Sequence, residues 1–149
     1  MDLIFWRHAE AEDERDGLDD LDRALTKSGQ KQAARVGAWL DAQLPKDTLI
    51  LCSPALRCQQ TALALGRDFR IVERIAPGAA PAAVLEAAQW PDAQHPVMIV
   101  GHQPTLGQTL AQLLRLQDTN CGIRKSQAWW LRAREGELQV WAVQSPETA

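Results

Sequence analysis

Leu3-Ile4-Phe5-Trp6-Arg7-His8 joins four consecutive apolar residues directly to an arginine and a histidine. Such a short apolar run is typical of a strand that is buried on both faces. Val97-Met98-Ile99-Val100 repeats the arrangement and leads into Gly101-His102, while Leu49-Ile50-Leu51 precedes the segment Ser53-Pro54-Ala55-Leu56-Arg57. Ligands bind at the carboxyl ends of the strands in open α/β sheets, so these segments predict a binding site at one sheet edge.

Strand and helix patterns alternate along the rest of the chain with short connections. We expect strands at 3–6, 49–52, 69–72 and 97–100, helices at 27–44, 54–65, 81–89 and 104–116, and a closing hairpin from 128–133 and 138–143. This alternation predicts an α/β fold, a three-layer αβα sandwich with a mostly parallel central sheet. We expect a single compact domain over residues 1–149, with no large helical insertion.

Two residues are predicted to cap helices. Thr26 is the expected N-cap of the first helix, and Ser53 that of the second, with Pro54 in its first helical position. The apolar face of the first helix is expected to comprise Ala34, Trp39 and Leu40, with Val36 and Ala38 beside them.

Composition excludes several classes of protein. The chain has 149 residues, of which 46% are hydrophobic and 23% charged, and no apolar run approaches the roughly 20 residues of a membrane span. The run at 3–6 has no basic region before it, so we expect no signal peptide. Three cysteines without CxxC spacing favour a reducing, cytoplasmic location. A net charge of -3 gives no reason to expect a nucleic-acid partner.

The polar residues at the predicted sheet edge suit phosphoryl chemistry. Arg7 and Arg57 carry planar, permanent charges that match phosphoryl oxygens, and a neutral imidazole at His8 can attack phosphorus. A single strand-end histidine is more often structural, but His8 and His102 beside two arginines favour a phosphate site. A metal site is disfavoured, because both arginines would repel a cation. Cys52 is one residue too close to Arg57 for a cysteine phosphatase loop, and is expected to be a buried strand residue.

Five stretches, in order, resemble the histidine phosphatase superfamily, also called the phosphoglycerate-mutase-like fold, and in particular its short SixA-type phosphohistidine phosphatases. The stretches are Trp6-Arg7-His8-Ala9-Glu10-Ala11, Asp22-Arg23-Ala24-Leu25-Thr26-Lys27-Ser28-Gly29, Ser53-Pro54-Ala55-Leu56-Arg57-Cys58-Gln59-Gln60-Thr61-Ala62, Ala76-Pro77-Gly78 and Val100-Gly101-His102-Gln103-Pro104. The third residue of the first motif is Ala9, where the best-known form of the family has glycine.

The resemblance implies a mechanism and a role for each site residue. His8 is the expected nucleophile, neutral and held through one ring nitrogen by a backbone carbonyl, and it forms a phosphohistidine intermediate. Arg7 and Arg57 would hold the phosphoryl oxygens, and His102 would donate to them as an imidazolium. The backbone N–H of Gln103, at the start of a helix, would add a further donor. No metal or cofactor is expected.

The resemblance leaves the substrate and the general acid open. Glu73 is the nearest candidate acid, with Glu10 and Glu12 as rivals, unless the reaction needs none. The short connection 74–96 predicts an open pocket, which favours phosphohistidine on a protein, such as a phosphotransfer domain. A small-molecule phosphomonoesterase is the alternative, and a phosphate-binding module without catalysis is a third reading. The acidic stretch 10–22 is either a solvated loop or a surface that favours protein substrates, and we expect repulsion from phosphate to lead Glu14 away from it.

Overall fold

One six-stranded sheet runs through the centre of the molecule. The computed structural model describes residues 1–149. Its strands are β1 (Asp2–Arg7), β2 (Leu49–Cys52), β3 (Arg70–Ile71), β4 (Val97–Gly101), β5 (Ala128–Arg134) and β6 (Glu137–Gln144), in the order β3-β2-β4-β1-β5-β6. Strands β3, β2, β4 and β1 are parallel, while β5 and β6 are antiparallel to their neighbours. The predicted α/β fold class with a mostly parallel sheet is therefore confirmed.

The helices cover both faces of this sheet. They are α1 (Lys27–Gln43), α2 (Leu56–Leu63), α3 (Pro81–Ala87) and α4 (Thr105–Leu113), with two short 3-10 turns at Asp20–Asp22 and Glu73–Ile75. Side chains alternate between the faces along each strand. Ile4 and Trp6 of β1 therefore pack with α1 and α2, whereas Leu3 and Phe5 pack with α3 and α4. None of the helices combines the length and apolar character that a membrane crossing requires.

Helix α1 begins as predicted but buries a different face. Thr26 is its N-cap, and its hydroxyl accepts a hydrogen bond from the Gly29 backbone N–H. The buried residues of the helix are Gly29, Ala33, Val36, Gly37 and Leu40, while Ala34 and Ala38 are exposed. The predicted face was wrong at these two alanines, because the glycines form the contact surface. A methyl group at Gly37 would lie 2.8 Å from the Ala64 carbonyl oxygen.

Other boundaries differ by a few residues from those predicted. Helix α2 begins at Leu56 rather than Pro54, and Ser53 caps no helix, although its hydroxyl accepts from the Ala55 backbone N–H. Helix α4 begins after Pro104, and both it and α3 end earlier than predicted. The closing hairpin is confirmed: Glu135 and Gly136 have φ of 53° and 79°, the left-handed pair that a two-residue hairpin turn requires.

Candidate active site

Two neighbouring parallel strands, β1 and β4, place His8 and His102 side by side at the carboxyl edge of the sheet. The register of β1 and β4 pairs Arg7 with Gly101, so His8 and His102 each come one residue after a paired position. The His8 backbone N–H donates to the Gly101 carbonyl, at 3.1 Å, which extends the pairing to the end of the strand. The two imidazole rings consequently lie 5.4 Å apart between centroids.

A cavity of about 330 Å³ opens over these strand ends. It is lined by Arg7, His8, Ala11, Asp13, Glu14, Asp20, Arg23, Arg57, Pro77, His102, Gln103 and Lys125. All five residues that sequence analysis placed at the site, Arg7, His8, Arg57, His102 and Gln103, are among them. The tertiary structure therefore brings together residues that lie up to 118 positions apart, from Arg7 to Lys125.

The His8 ring has the orientation that a nucleophile needs. Its Nδ1 lies 2.8 Å from the Ala9 carbonyl oxygen, which can only accept, so Nδ1 carries the proton and Nε2 keeps its lone pair. Burial lowers the pKa of His8 to about 4, and the positive charges of Arg57 and Arg7 act in the same direction. The imidazole is therefore neutral at physiological pH.

Each of the two predicted arginines presents an unpaired nitrogen. The Arg57 side chain is 4% exposed, and it donates from Nη1 to the Asp20 carbonyl at 2.7 Å and from Nη2 to the Asp20 carboxylate at 3.1 Å. Arg7 donates from Nη1 to the Ile123 carbonyl at 2.8 Å. The Nε atoms of both arginines are buried without a partner. Both arginines line the cavity, so their guanidinium charges lie close to any anionic ligand bound there.

His102 lies at the floor of the cavity and is 4% exposed. Its Nε2 is 2.7 Å from the Ser53 hydroxyl, and its Nδ1 is 3.4 Å from Nη2 of Arg57. Burial, followed by the proximity of His8 and Arg57, lowers the pKa of His102 to about 3. In the ligand-free site this lowered pKa favours a neutral imidazole, whereas the expected imidazolium belongs to the state with a bound phosphoryl group and stays a prediction.

The Gln103 side chain is bonded within the protein, whereas its backbone N–H is unpaired. The side-chain oxygen accepts from the Gly107 backbone N–H at 2.7 Å, and the amide nitrogen donates to the Cys121 carbonyl at 3.0 Å. These bonds anchor the start of α4. The Gln103 backbone N–H donates to no protein group, which leaves it free to bind an oxyanion.

Seven further residues line the cavity but were not among the predicted site residues: Ala11, Asp13, Glu14, Asp20, Arg23, Pro77 and Lys125. Asp20 bridges Arg57 and Arg23, with Arg23 Nη2 at 2.9 Å from its carboxylate. Burial acts to raise the pKa of Asp20, but the hydrogen bonds from Arg23 and Arg57 hold this pKa below its ordinary value. Arg23 lies in the stretch 22–29 that resembles the family, so the resemblance could have identified it as a site residue. Asp20 lies in the acidic stretch 10–22, and nothing in that pattern distinguishes it from the neighbouring carboxylates.

None of the three candidate general acids lines this cavity. Glu73 is exposed on the 3-10 turn after β3. Glu10 and Glu12 line a neighbouring cavity of about 590 Å³, where the Glu10 carboxylate accepts from the Thr26 hydroxyl. The carboxylates that do line the site are those of Asp13, Glu14 and Asp20. The expectation that Glu14 would be led away was wrong; its exposed side chain stays on the rim, where water weakens repulsion from an anion.

Two alternatives considered from the sequence can be compared with the geometry. No cluster of three or more His, Cys, Asp or Glu side chains is arranged to hold a metal ion. Cys52 is fully buried in β2, as predicted, and burial raises the pKa of its thiol far above the ordinary value. A protonated, inaccessible thiol is a poor nucleophile.

Residues 3–78 match the family model described as the histidine phosphatase superfamily, branch 1. An uncharacterised protein of Mycobacterium tuberculosis is 36% identical over 111 residues, covering 72% of this chain and 70% of the relative.

Solved structures agree with this match. A protein from Agrobacterium tumefaciens, assigned as a phosphohistidine phosphatase SixA, is 25% identical with a TM-score of 0.81, and 97% of each chain is covered. The protein histidine phosphatase SixA complexed with tungstate has a TM-score of 0.77 at 22% identity, with 98% of this chain and 97% of that chain covered. The latter likeness shows the shared fold.

Proposed function

Since this chain belongs to branch 1 of the histidine phosphatase superfamily and is a SixA-type phosphatase, we propose that it removes phosphoryl groups from histidine side chains of proteins through a covalent intermediate on His8. The observation that carries this proposal is the state of His8. The ring is neutral, its Nδ1–H is held by the Ala9 carbonyl, and its Nε2 lone pair is free in a cavity lined by arginines.

The first step transfers the phosphoryl group to the protein. The Nε2 lone pair of His8 forms a bond to phosphorus while the bond from phosphorus to the substrate's imidazole nitrogen breaks. The departing nitrogen takes the electron pair of that bond. If the other ring nitrogen already carries a proton, the ring leaves as neutral imidazole; otherwise the departing nitrogen takes a proton from water. The Nδ1–H of His8 keeps its hydrogen bond to the Ala9 carbonyl throughout, which stabilises the positive charge that develops on the ring.

The second step regenerates the protein. A water oxygen attacks phosphorus, the Nε2–P bond breaks with its electron pair returning to His8, and inorganic phosphate carries the remaining protons. Arg7 and Arg57, which line the cavity, supply the positive charge that both transition states require. The backbone N–H of Gln103 adds a neutral donor. We propose that these groups suffice without a metal ion.

The architecture around the cavity supports a protein substrate. The connection from β3 to β4 holds only the 3-10 turn at Glu73–Ile75 and helix α3, so no helical cap covers the strand ends. The rim includes the exposed side chains of Asp13 and Glu14. An uncovered cavity lets a histidine on the surface of a folded domain reach His8. The likeness to the Agrobacterium SixA protein supports the same substrate class.

A small-molecule phosphomonoesterase is the second candidate. A cavity of about 330 Å³ is at the lower end of the range for small-ligand sites. Asp13 and Glu14, which have free carboxylates at the rim, would then serve as proton donors to an alkoxide leaving group.

The test of the mechanism is to trap the intermediate. The protein is mixed with a phosphotransfer domain labelled on histidine, quenched in alkali, and the acid-labile label is mapped by mass spectrometry. We expect label on His8 and none in His8→Ala. His95→Ala is the matched control, because His95 is the only histidine that does not line the cavity. Label on Cys52 or on a serine would contradict the assignment.

The test of the substrate class compares kcat/KM for the phosphohistidine domain, an aryl phosphate and an alkyl phosphate. We expect the first to exceed the alkyl ester by about 10²-fold or more, the range that acid catalysis supplies where it operates. Efficient alkyl ester hydrolysis that is lost in Asp13→Asn or Glu14→Gln would favour the phosphomonoesterase instead. Absence of turnover on all three substrates would favour the third hypothesis, a phosphate-binding module without catalysis.

A further inference from the structure

Ser53 lies directly beneath His102 at the end of β2, with no exposed surface. Its hydroxyl oxygen is 2.7 Å from His102 Nε2 and 3.2 Å from the Ala55 backbone nitrogen. A backbone N–H can only donate, so it occupies one lone pair of the hydroxyl oxygen. The hydroxyl hydrogen is then free to point at the imidazole.

The other neighbour of Nε2 is a weaker partner. The Cys58 sulfur lies 3.4 Å from Nε2. Burial raises the pKa of this thiol to about 12, although the charge of Arg57 and a hydrogen bond with Ser53 act to lower it, so the sulfur stays protonated. A neutral thiol is a weak hydrogen-bond acceptor, whereas an imidazole lone pair is a strong one. The serine hydroxyl therefore has its best acceptor in Nε2, on the side of the ring that faces the protein interior.

The opposite nitrogen of the ring lies beside the phosphoryl-binding arginine. Nδ1 of His102 is 3.4 Å from Nη2 of Arg57, a separation longer than a good N–H···N hydrogen bond. Arg57 can only donate. Two donor groups that lie side by side at this spacing can both bind one oxyanion placed above them.

We propose that Ser53 is a positioning residue that holds neutral His102 in its Nδ1–H tautomer, so that Nδ1–H and Arg57 together donate to the phosphoryl oxygens. His102 then acts as an uncharged donor, and the positive charge of the site comes from the arginines. The low pKa of His102 agrees with this arrangement. The effect on turnover rests on the proposed phosphatase mechanism, whereas the tautomer itself does not.

The tautomer is measured directly by two-dimensional ¹H–¹⁵N correlation of the histidine side chains in the ligand-free protein at pH 7. We expect the Nδ1–H pattern for His102, and also for His8, whose Nδ1 is fixed by the Ala9 carbonyl. In Ser53→Ala, His102 shifts towards the Nε2–H pattern while His8 remains unchanged. His8 is thus an internal reference for an intact site.

Binding of tungstate provides a second readout that does not depend on turnover. Losing one oriented hydrogen bond is worth about 1.4 kcal/mol, so we expect an approximately tenfold weaker tungstate Kd in Ser53→Ala. Ser53→Thr retains a hydroxyl and is expected to retain both the tautomer and the affinity. Thr109→Val is the matched control, because Thr109 is an equally buried hydroxyl, bonded to the Thr105 carbonyl and outside the cavity.

An Nε2–H pattern for His102 in the wild-type protein would overturn the proposal, and this result needs no variant to fold. A folded Ser53→Ala that keeps both the tautomer and the tungstate affinity would also overturn it. Failure of the phosphatase mechanism gives a different result: no label on His8, with the His102 tautomer as proposed.

Discussion

The imidazole rings of His8 and His102 lie 5.4 Å apart and are inclined by 57°, although 93 residues separate them along the chain. Two neighbouring parallel strands in register place them there. The surroundings lower the pKa of both rings, His8 to about 4 and His102 to about 3, chiefly through burial. The site therefore contains two neutral imidazoles and draws its positive charge from arginines.

The first prediction concerns the pH dependence of activity. A histidine whose pKa is lowered stays neutral until the pH falls to the new value, so the nucleophile is lost only near pH 4 rather than near pH 6.5. We expect kcat/KM to be flat from pH 7 to 5 and to fall below about 4. The measurement uses an aryl phosphate, which survives in acid. A decline already centred at pH 6.5 would mean that His8 is not buried in this way.

The second prediction concerns the geometry of Arg57. Arg57→Lys keeps the charge but removes the fixed fork of donors and the buried Nε–H, so we expect kcat/KM to fall by about 10²-fold. Arg67→Lys is the control. Arg67 is anchored equally well, to Asp41, Leu44 and Pro45, but lies outside the cavity. Equal activity of the two variants would place Arg57 outside the reaction.

The third prediction concerns Asp20, whose carboxylate competes with an oxyanion for Arg57. Asp20→Asn removes the negative charge, while the Asp20 carbonyl still holds Nη1 of Arg57. We expect tungstate to bind about fivefold more tightly, because it no longer competes with a partly exposed ion pair of about 1 kcal/mol. Asp19→Asn changes the net charge equally outside the cavity. Weaker binding in Asp20→Asn would show that the carboxylate chiefly orients the arginine.

The fourth prediction concerns the packing that supports the loop after His8. A methyl group at Gly29 would collide with the backbone carbonyl of Glu10, which cannot move without displacing that loop. We expect Gly29→Ala to lower the free energy of unfolding by at least about 2 kcal/mol, and to reduce activity. Gly122→Ala places its methyl in open space and is expected to change little. Urea unfolding curves for the two variants measure the difference.

Much of the fold could be predicted because its signals are local. The apolar runs at β1, β2 and β4 are short and sharply bounded, and each ends in the residues that the site uses. Helix boundaries were less accurate. At Ser53 and Pro54 a capping signal was present, but the serine hydroxyl bonds to His102, and the helix starts later. The face of α1 was misjudged at Ala34 and Ala38, since apolar character alone does not show which residues contact a neighbouring helix.

The sequence by itself determined the order of the elements, the sheet edge and the residues delivered to it: Arg7, His8, Arg57, His102 and Gln103. This was possible because strands and helices can be recognised from the pattern of neighbouring residues, and because parallel strands bring their carboxyl ends together. Only the tertiary structure decided that Asp20 bonds to Arg57, that Glu73 lies outside the cavity and that His102 is neutral. Those properties depend on burial and on distances between distant segments, and neither quantity is a property of a local pattern.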